Sequence, residues 1–169
     1  KNYNVADRDY FKAAKGGKAS IGSVVKSKAS GNPVVPIGVP LLGEKGEFVG
    51  CFSVLLKIDF LVERITSTKL GKTGYSFMTD ATGRIIAHPR KELILELDFK
   101  SVKGMEAIGN QMMSRKAGVE AYVFEGQPRI AGFAPVELTG WSVATTQAAD
   151  EFLVSAHAIR NGILIVGGI

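Results

Sequence analysis

The sequence predicts an α+β fold of two related modules, each an antiparallel sheet with helices, the first of them truncated at its N-terminus. Three observations carry this. Twenty glycines and six prolines punctuate the 169 residues, a density that favours many turns and short strands over a helix bundle. The second half orders itself as strand, strand, helix and three strands, the order of a five-stranded antiparallel sheet. The first half repeats only the end of that plan, a short helix and then a long hairpin.

In "DRDYFKAAKGG" Asp7 is the expected N-cap of a helix from Arg8 to Lys15, which Gly16 and Gly17 end. "PVVPIGVPLL" (Pro33 to Leu42) carries strand residues, and Pro36 and Pro40 restrict it to an edge or bulged strand. "GEKG" turns the chain into a second apolar strand, Phe48 to Ile58, closing a hairpin. Asp59 starts a helix that ends near Thr68, and "KLGKTG" marks the module boundary. Beyond it, "YSFMTDATGRIIAHP" reads as strand, turn over Asp80 to Gly83, and strand stopped by Pro89. A helical region with Met105, Ile108 and Met112 precedes a three-stranded meander, and a final helix runs from Ala148 to His157.

A formal charge of +5 and a pI near 9.4 would suit an anionic partner, but the basic residues are spread along the chain with acids between them. Nucleic-acid binders cluster theirs on one face, so no nucleic acid is expected. Cys51 is the one cysteine and lies in an apolar run, as a small buried hydrophobe would. The last eight residues, Gly162 to Ile169, are uncharged. They are too few to span a bilayer, which takes about 20. They read either as the start of a span or as a buried tail.

"GKTGYS" contains the Gly-Lys-Thr of a phosphate loop, yet Thr66 stands where the motif needs its first glycine, and the segment precedes a strand. His88 and His157 have no partners at metal-ligand spacing. No serine-nucleophile motif is present. Nothing here supports an enzyme, and no cofactor or metal is expected. Arg8, Tyr10 and Phe11 stand out: a guanidinium beside two rings can hold a carboxylate while the rings enclose the rest of a small ligand. The alternative is that the rings are core and Arg8 pairs with Asp7 or Asp9 at the surface.

"VADRDYFKAAKGGKASIGSVV", the hairpin "PVVPIGVPLLGEKGEFVGCFSVLLKID" and "LGKTGYSFMTDATGRIIAHP", in that order, resemble the double Cache domain of bacterial chemoreceptors and sensor kinases. The resemblance implies two PAS-like modules. Residues 1–68 would be a partial membrane-distal module that binds the ligand, and residues 69–158 the membrane-proximal one. Residues 159–169 would begin a transmembrane helix. It further implies a membrane-anchored parent protein in the inner membrane, with this region periplasmic or extracellular, acting as a homodimer in chemotaxis signalling. Alternatives are the sensor of a histidine kinase or diguanylate cyclase, or a cytoplasmic PAS-type cofactor-binding module.

Family members that bind amino acids carry an arginine, two aromatic residues just after it, a loop tyrosine and aspartate, and a strand aspartate. By resemblance Arg8 matches the arginine, and Tyr10 and Phe11 the aromatic pair. Val25 and Ser27 replace the loop residues, and Phe52 falls at the strand aspartate. The acids that would hold an ammonium group are gone. The expected ligand is therefore a small organic acid, bound by Arg8, enclosed by Tyr10, Phe11, Val25 and Phe52, with Ser27 and Ser53 as polar contacts.

Overall fold

The computed structural model describes residues 4–154. The chain divides into two compact units, Lys1–Leu61 and Val62–Ile169. The division falls inside a helix, ahead of the glycine-marked break that the sequence suggests. The expected membrane-spanning start at 159–169 lies outside the described residues, as does His157.

In the first unit, helix α1 (Asp9–Lys15) lies on a sheet of β1 (Ser20–Ile21), β2 (Val25–Lys26), β3 (Pro33–Leu42) and β4 (Phe48–Lys57). Asp7 does not cap α1. Arg8 is extended (φ −77°, ψ 141°), so the helix begins one residue later than expected, without a side-chain cap from Arg8. The Asp9 carboxylate instead accepts from the Tyr10 N–H (2.7 Å), the Ser23 N–H (2.8 Å) and the Ser23 hydroxyl (2.7 Å). Burial works to raise its pKa, but these bonds win and lower it.

β3 is not an edge. It pairs with β4 along one side and with both β1 and β2 along the other. The prolines are tolerated because of where their missing N–H groups point. The Gly22 N–H donates to the Pro36 carbonyl (2.7 Å), which places Pro36 at the interruption between β1 and β2. By the two-residue alternation, Pro40 faces the same side, beyond the end of β1. Neither costs a bond to β4, which is bound through the residues between them. The expected irregularity is present as a register shift between Leu41 and Leu42. Gly38 lets α1 lie against β3: a Cβ there would stand 2.8 Å from the Tyr10 carbonyl oxygen.

Helix α2 (Asp59–Thr66) leads into the second unit, a sheet ordered β5 (Lys69–Leu70), β6 (Gly74–Thr79), β10 (Trp141–Ala148), β9 (Gln127–Val136), β8 (Gly118–Phe124). β7 (Ile85–Ala87) shares the β6 edge with β5. The two-residue β5 adds a strand to the five expected. Helix α3 (Glu106–Met113) sends Ile108 and Met112 into a core with Phe77, Phe99, Tyr122 and Phe133. Trp141, the one tryptophan, is buried in this unit. Asp80 organises the β6–β7 turn, accepting from the Thr82 N–H (2.9 Å) and hydroxyl (2.6 Å) and from the Arg84 N–H (3.1 Å).

The Gly-Lys-Thr loop before β6 holds an anion from its own chain. The Glu151 carboxylate, in the helical stretch 149–154, accepts from the N–H groups of Lys72 (2.6 Å) and Thr73 (2.9 Å) and from the Thr73 hydroxyl. These bonds depress its pKa to about 2. Its contribution to stability is present above about pH 4.5 and is lost as pH falls toward 2. Gly71 takes φ +61° beneath this carboxylate. Gly74 is tighter still, because a Cβ there would strike the Leu70 carbonyl oxygen. Valine at position 74 is expected to cost about 1–3 kcal/mol by overpacking, read as a lower midpoint of the Trp141 emission transition in urea.

Candidate functional site

One cavity of about 190 Å³ lies in the first unit, between the segment entering α1, β2 with its following loop, and one face of the β3–β4 hairpin. Strand alternation decides what reaches it. Val34, Pro36 and Gly38 share the face under α1, and their β4 partners there include Leu55, opposite Pro36, and Ser53, opposite Gly38. The cavity brings together Arg8, Tyr10, Val25, Ser27 and Ser53, with Val34, Pro36 and Leu55 as its apolar floor.

Phe52 and Phe11 are not among its lining residues. Phe52 pairs with Val39 on the opposite face of the sheet, 58% exposed. It cannot share a face with Ser53, its neighbour in the same strand. Phe11 turns away from Tyr10 along the helix surface and meets the Phe48 ring edge-on, 6.0 Å between centroids. Sequence reasoning missed Val5, Lys26, Lys28 and the floor residues, all of which line the cavity. The floor was recoverable from strand parity once Ser53 was chosen; Lys28, on an irregular loop, offered no such signal.

The charged residues lining the cavity are Arg8, Lys26 and Lys28, and none of the lining residues is acidic. Asp9 is engaged by Ser23 and Tyr10. The Arg8 guanidinium makes no hydrogen bond or ion pair among the described residues. The alternative of a surface pair with Asp7 or Asp9 is therefore not what the structure shows. The Tyr10 hydroxyl pKa is raised by burial and then by the nearby Cys51, which keeps it a proton donor. The Ser27 oxygen accepts from the Ala29 (3.2 Å) and Ser30 (3.3 Å) N–H groups, so its own hydrogen is available to an acceptor. The site is thus rich in donors and positive charge over an apolar floor.

Besides a space of about 180 Å³ beside Phe99, Met105 and Met113, the second unit holds a far smaller one, about 10 Å³, bordered by Tyr75, Phe77, His88 and Tyr122. That is room for about one water molecule. His88 is 4% exposed. Its Nδ1 accepts from the Arg90 N–H (2.9 Å) and its ring meets Tyr75 edge-on (5.1 Å). Burial, then the Arg90 charge, push its pKa down to about 4. Among the described residues no cluster of His, Cys, Asp or Glu could hold a metal ion.

The Cache domain profile matches residues 1–156. The chain belongs to the Cache domain family. It is 27% identical over 168 residues to the methyl-accepting chemotaxis protein TlpB of Bacillus subtilis, an alignment covering 98% of this chain and 24% of that protein. It is 30% identical over 167 residues to the methyl-accepting chemotaxis protein McpA of Pseudomonas putida, covering 96% and 25%. The chain thus spans about a quarter of the length of these relatives. Among solved structures it resembles the extracellular domain of the putative histidine kinase mmHK1S-Z2, at TM-score 0.76 and 22% identity over 90% of this chain and 60% of that one. The ligand-binding domain of Mlp24 with asparagine matches at TM-score 0.71 and 22% identity, covering 88% and 59%. This Cache domain shares the α+β fold of those structures, and the sequence relatives named above are methyl-accepting chemotaxis proteins. Among the described residues no helix is long and apolar enough to cross a membrane.

Proposed function

We propose that this Cache domain is the extracytoplasmic sensing part of a bacterial chemoreceptor, and that its first unit, the membrane-distal one, binds a small organic acid through Arg8. The observation that carries this is a guanidinium without a hydrogen-bond or ion-pair partner among the described residues, at a cavity whose charged lining is entirely basic. A carboxylate takes both N–H groups of an arginine fork at once. The Ser27 and Tyr10 hydroxyls supply further donors, and Val25, Val34 and Leu55 enclose the carbon skeleton.

Solved relatives hold asparagine and L-arginine. An α-amino acid brings an ammonium group, and buried cations need a counter-charge. None of the residues lining this cavity supplies one, which favours an acid without an ammonium. Binding makes and breaks no bond. It favours one arrangement of the first unit, and that preference passes to the second unit, then across the membrane of the parent, a homodimer in this reading. A histidine kinase output is the second reading, favoured by the likeness to the mmHK1S-Z2 extracellular domain.

Calorimetric titration with short-chain carboxylates tests the site. Arg8→Ala is expected to weaken binding roughly 10- to 100-fold, the worth of a charge-assisted hydrogen bond. Unchanged affinity in that variant would overturn the reading.

A further inference from the structure

Resting on the organic-acid reading, we infer that the ligand is a short dicarboxylate, its first carboxylate on Arg8 and its second at Lys28. Arg8 precedes α1, whereas Lys28 stands on the loop after β2, so the cavity receives cations from two separate elements. The floor of the same cavity is Val34, Pro36 and Leu55. A methylene chain suits that apolar floor, and two carboxylates suit the two cations.

Lys28 is incompletely used by the protein. Its Nζ donates to the Asn4 carbonyl oxygen (2.6 Å), while Asp7, 3.9 Å away, is too distant for a hydrogen bond. An ammonium has three N–H groups, so donors remain for a ligand. The pair with Asp7 is also solvated, with the two side chains 41% and 70% exposed, and such pairs contribute little. A monocarboxylate on Arg8 would leave the Lys28 charge answered only by the Asn4 carbonyl and the loosely placed Asp7 among the described residues. A second carboxylate answers it directly.

Size agrees. A cavity of about 150 Å³ takes a benzene-sized molecule, and the space here is about 190 Å³. A dicarboxylate of four to six carbons is of that order.

The test is titration of the 169-residue chain with succinate, glutarate and adipate against butyrate, valerate and hexanoate. At least one dicarboxylate is expected to bind about 10-fold or more tightly than the monocarboxylate of equal length. Lys28→Gln should abolish that preference by weakening the dicarboxylates more than the monocarboxylates, while Arg8→Ala weakens both series. Equal affinity for the two series, or a preference that survives Lys28→Gln, would overturn the dicarboxylate inference and spare the organic-acid reading. Binding of neither series, or binding of both indifferent to Arg8→Ala, would overturn the organic-acid reading itself. Lys28 is exposed enough that the substitution should leave the melting curve unchanged, which circular dichroism checks.

Discussion

Replacing Phe99 by alanine is expected to lower the stability of the second unit by about 3–5 kcal/mol, the range for truncating a buried aromatic ring. Phe99 is 1% exposed and is among the largest fully buried side chains. Its ring lies 5.6 Å from that of Phe77, and its Cβ sits under Gly109 of α3, where an added Cβ would stand at 3.2 Å. Its N–H donates to the Gly83 carbonyl (3.1 Å), which ties the irregular stretch before α3 to the β6–β7 turn. Truncation therefore opens a void where helix, turn and sheet meet, and the neighbours on three sides are themselves fixed by backbone bonds. A shift of that size corresponds to a fall in Tm of tens of degrees, roughly 4–8 °C per kcal/mol for a unit near this size. Urea titration followed by tryptophan emission measures it. A loss below about 1 kcal/mol would show that the core collapses around the gap.

The second large effect is on acidity. In the folded chain His88 titrates near 4, against an ordinary value of 6.5, so the unfolded chain takes up the proton first as pH falls. Stability is then unaffected above about pH 6.5, declines between about 6.5 and 4, and levels below that. The shift amounts to about 3 kcal/mol when complete, at 1.36 kcal/mol per pKa unit. Asp9 and Glu151, both lowered, lose their contributions only at more acidic pH. The interval from pH 6.5 to 5 therefore separates His88 from these two carboxylates. His88→Gln should flatten the dependence of Tm on pH within that interval, and an equally steep slope in the variant would place the effect elsewhere.

Much of the fold was legible because it depends on local chemistry. Glycines at 46 and 83 take positive φ at the β3–β4 and β6–β7 turns, where the sequence placed them, and the apolar runs between such turns are strands. Less legible were features that need a partner from far along the chain. Pro36 and Pro40 argue for an edge strand by themselves; only the short lengths of β1 and β2 make a central position tolerable. The helix start was misplaced because two aspartates flank Arg8, and what draws Asp9 inward is Ser23, fourteen residues on. Choosing Phe52 and Ser53 together overlooked the alternation of a strand. Lys28 could not be found from sequence, since its place at the cavity is set by the path of an irregular loop.

The one cysteine and the one tryptophan fall in different units: Cys51 in β4 of the first, Trp141 in β10 of the second. A single unmodified chain thus carries two native reporters. Cys51 is part-exposed rather than buried as its apolar run suggests, so the rate at which a thiol reagent modifies it reports on access to β4 in the unit proposed to hold the ligand, while indole emission follows the other. Ligand added to the wild-type chain should slow the first signal. Whether the second also moves measures how far one unit feels the occupancy of its neighbour, with no label and no substitution.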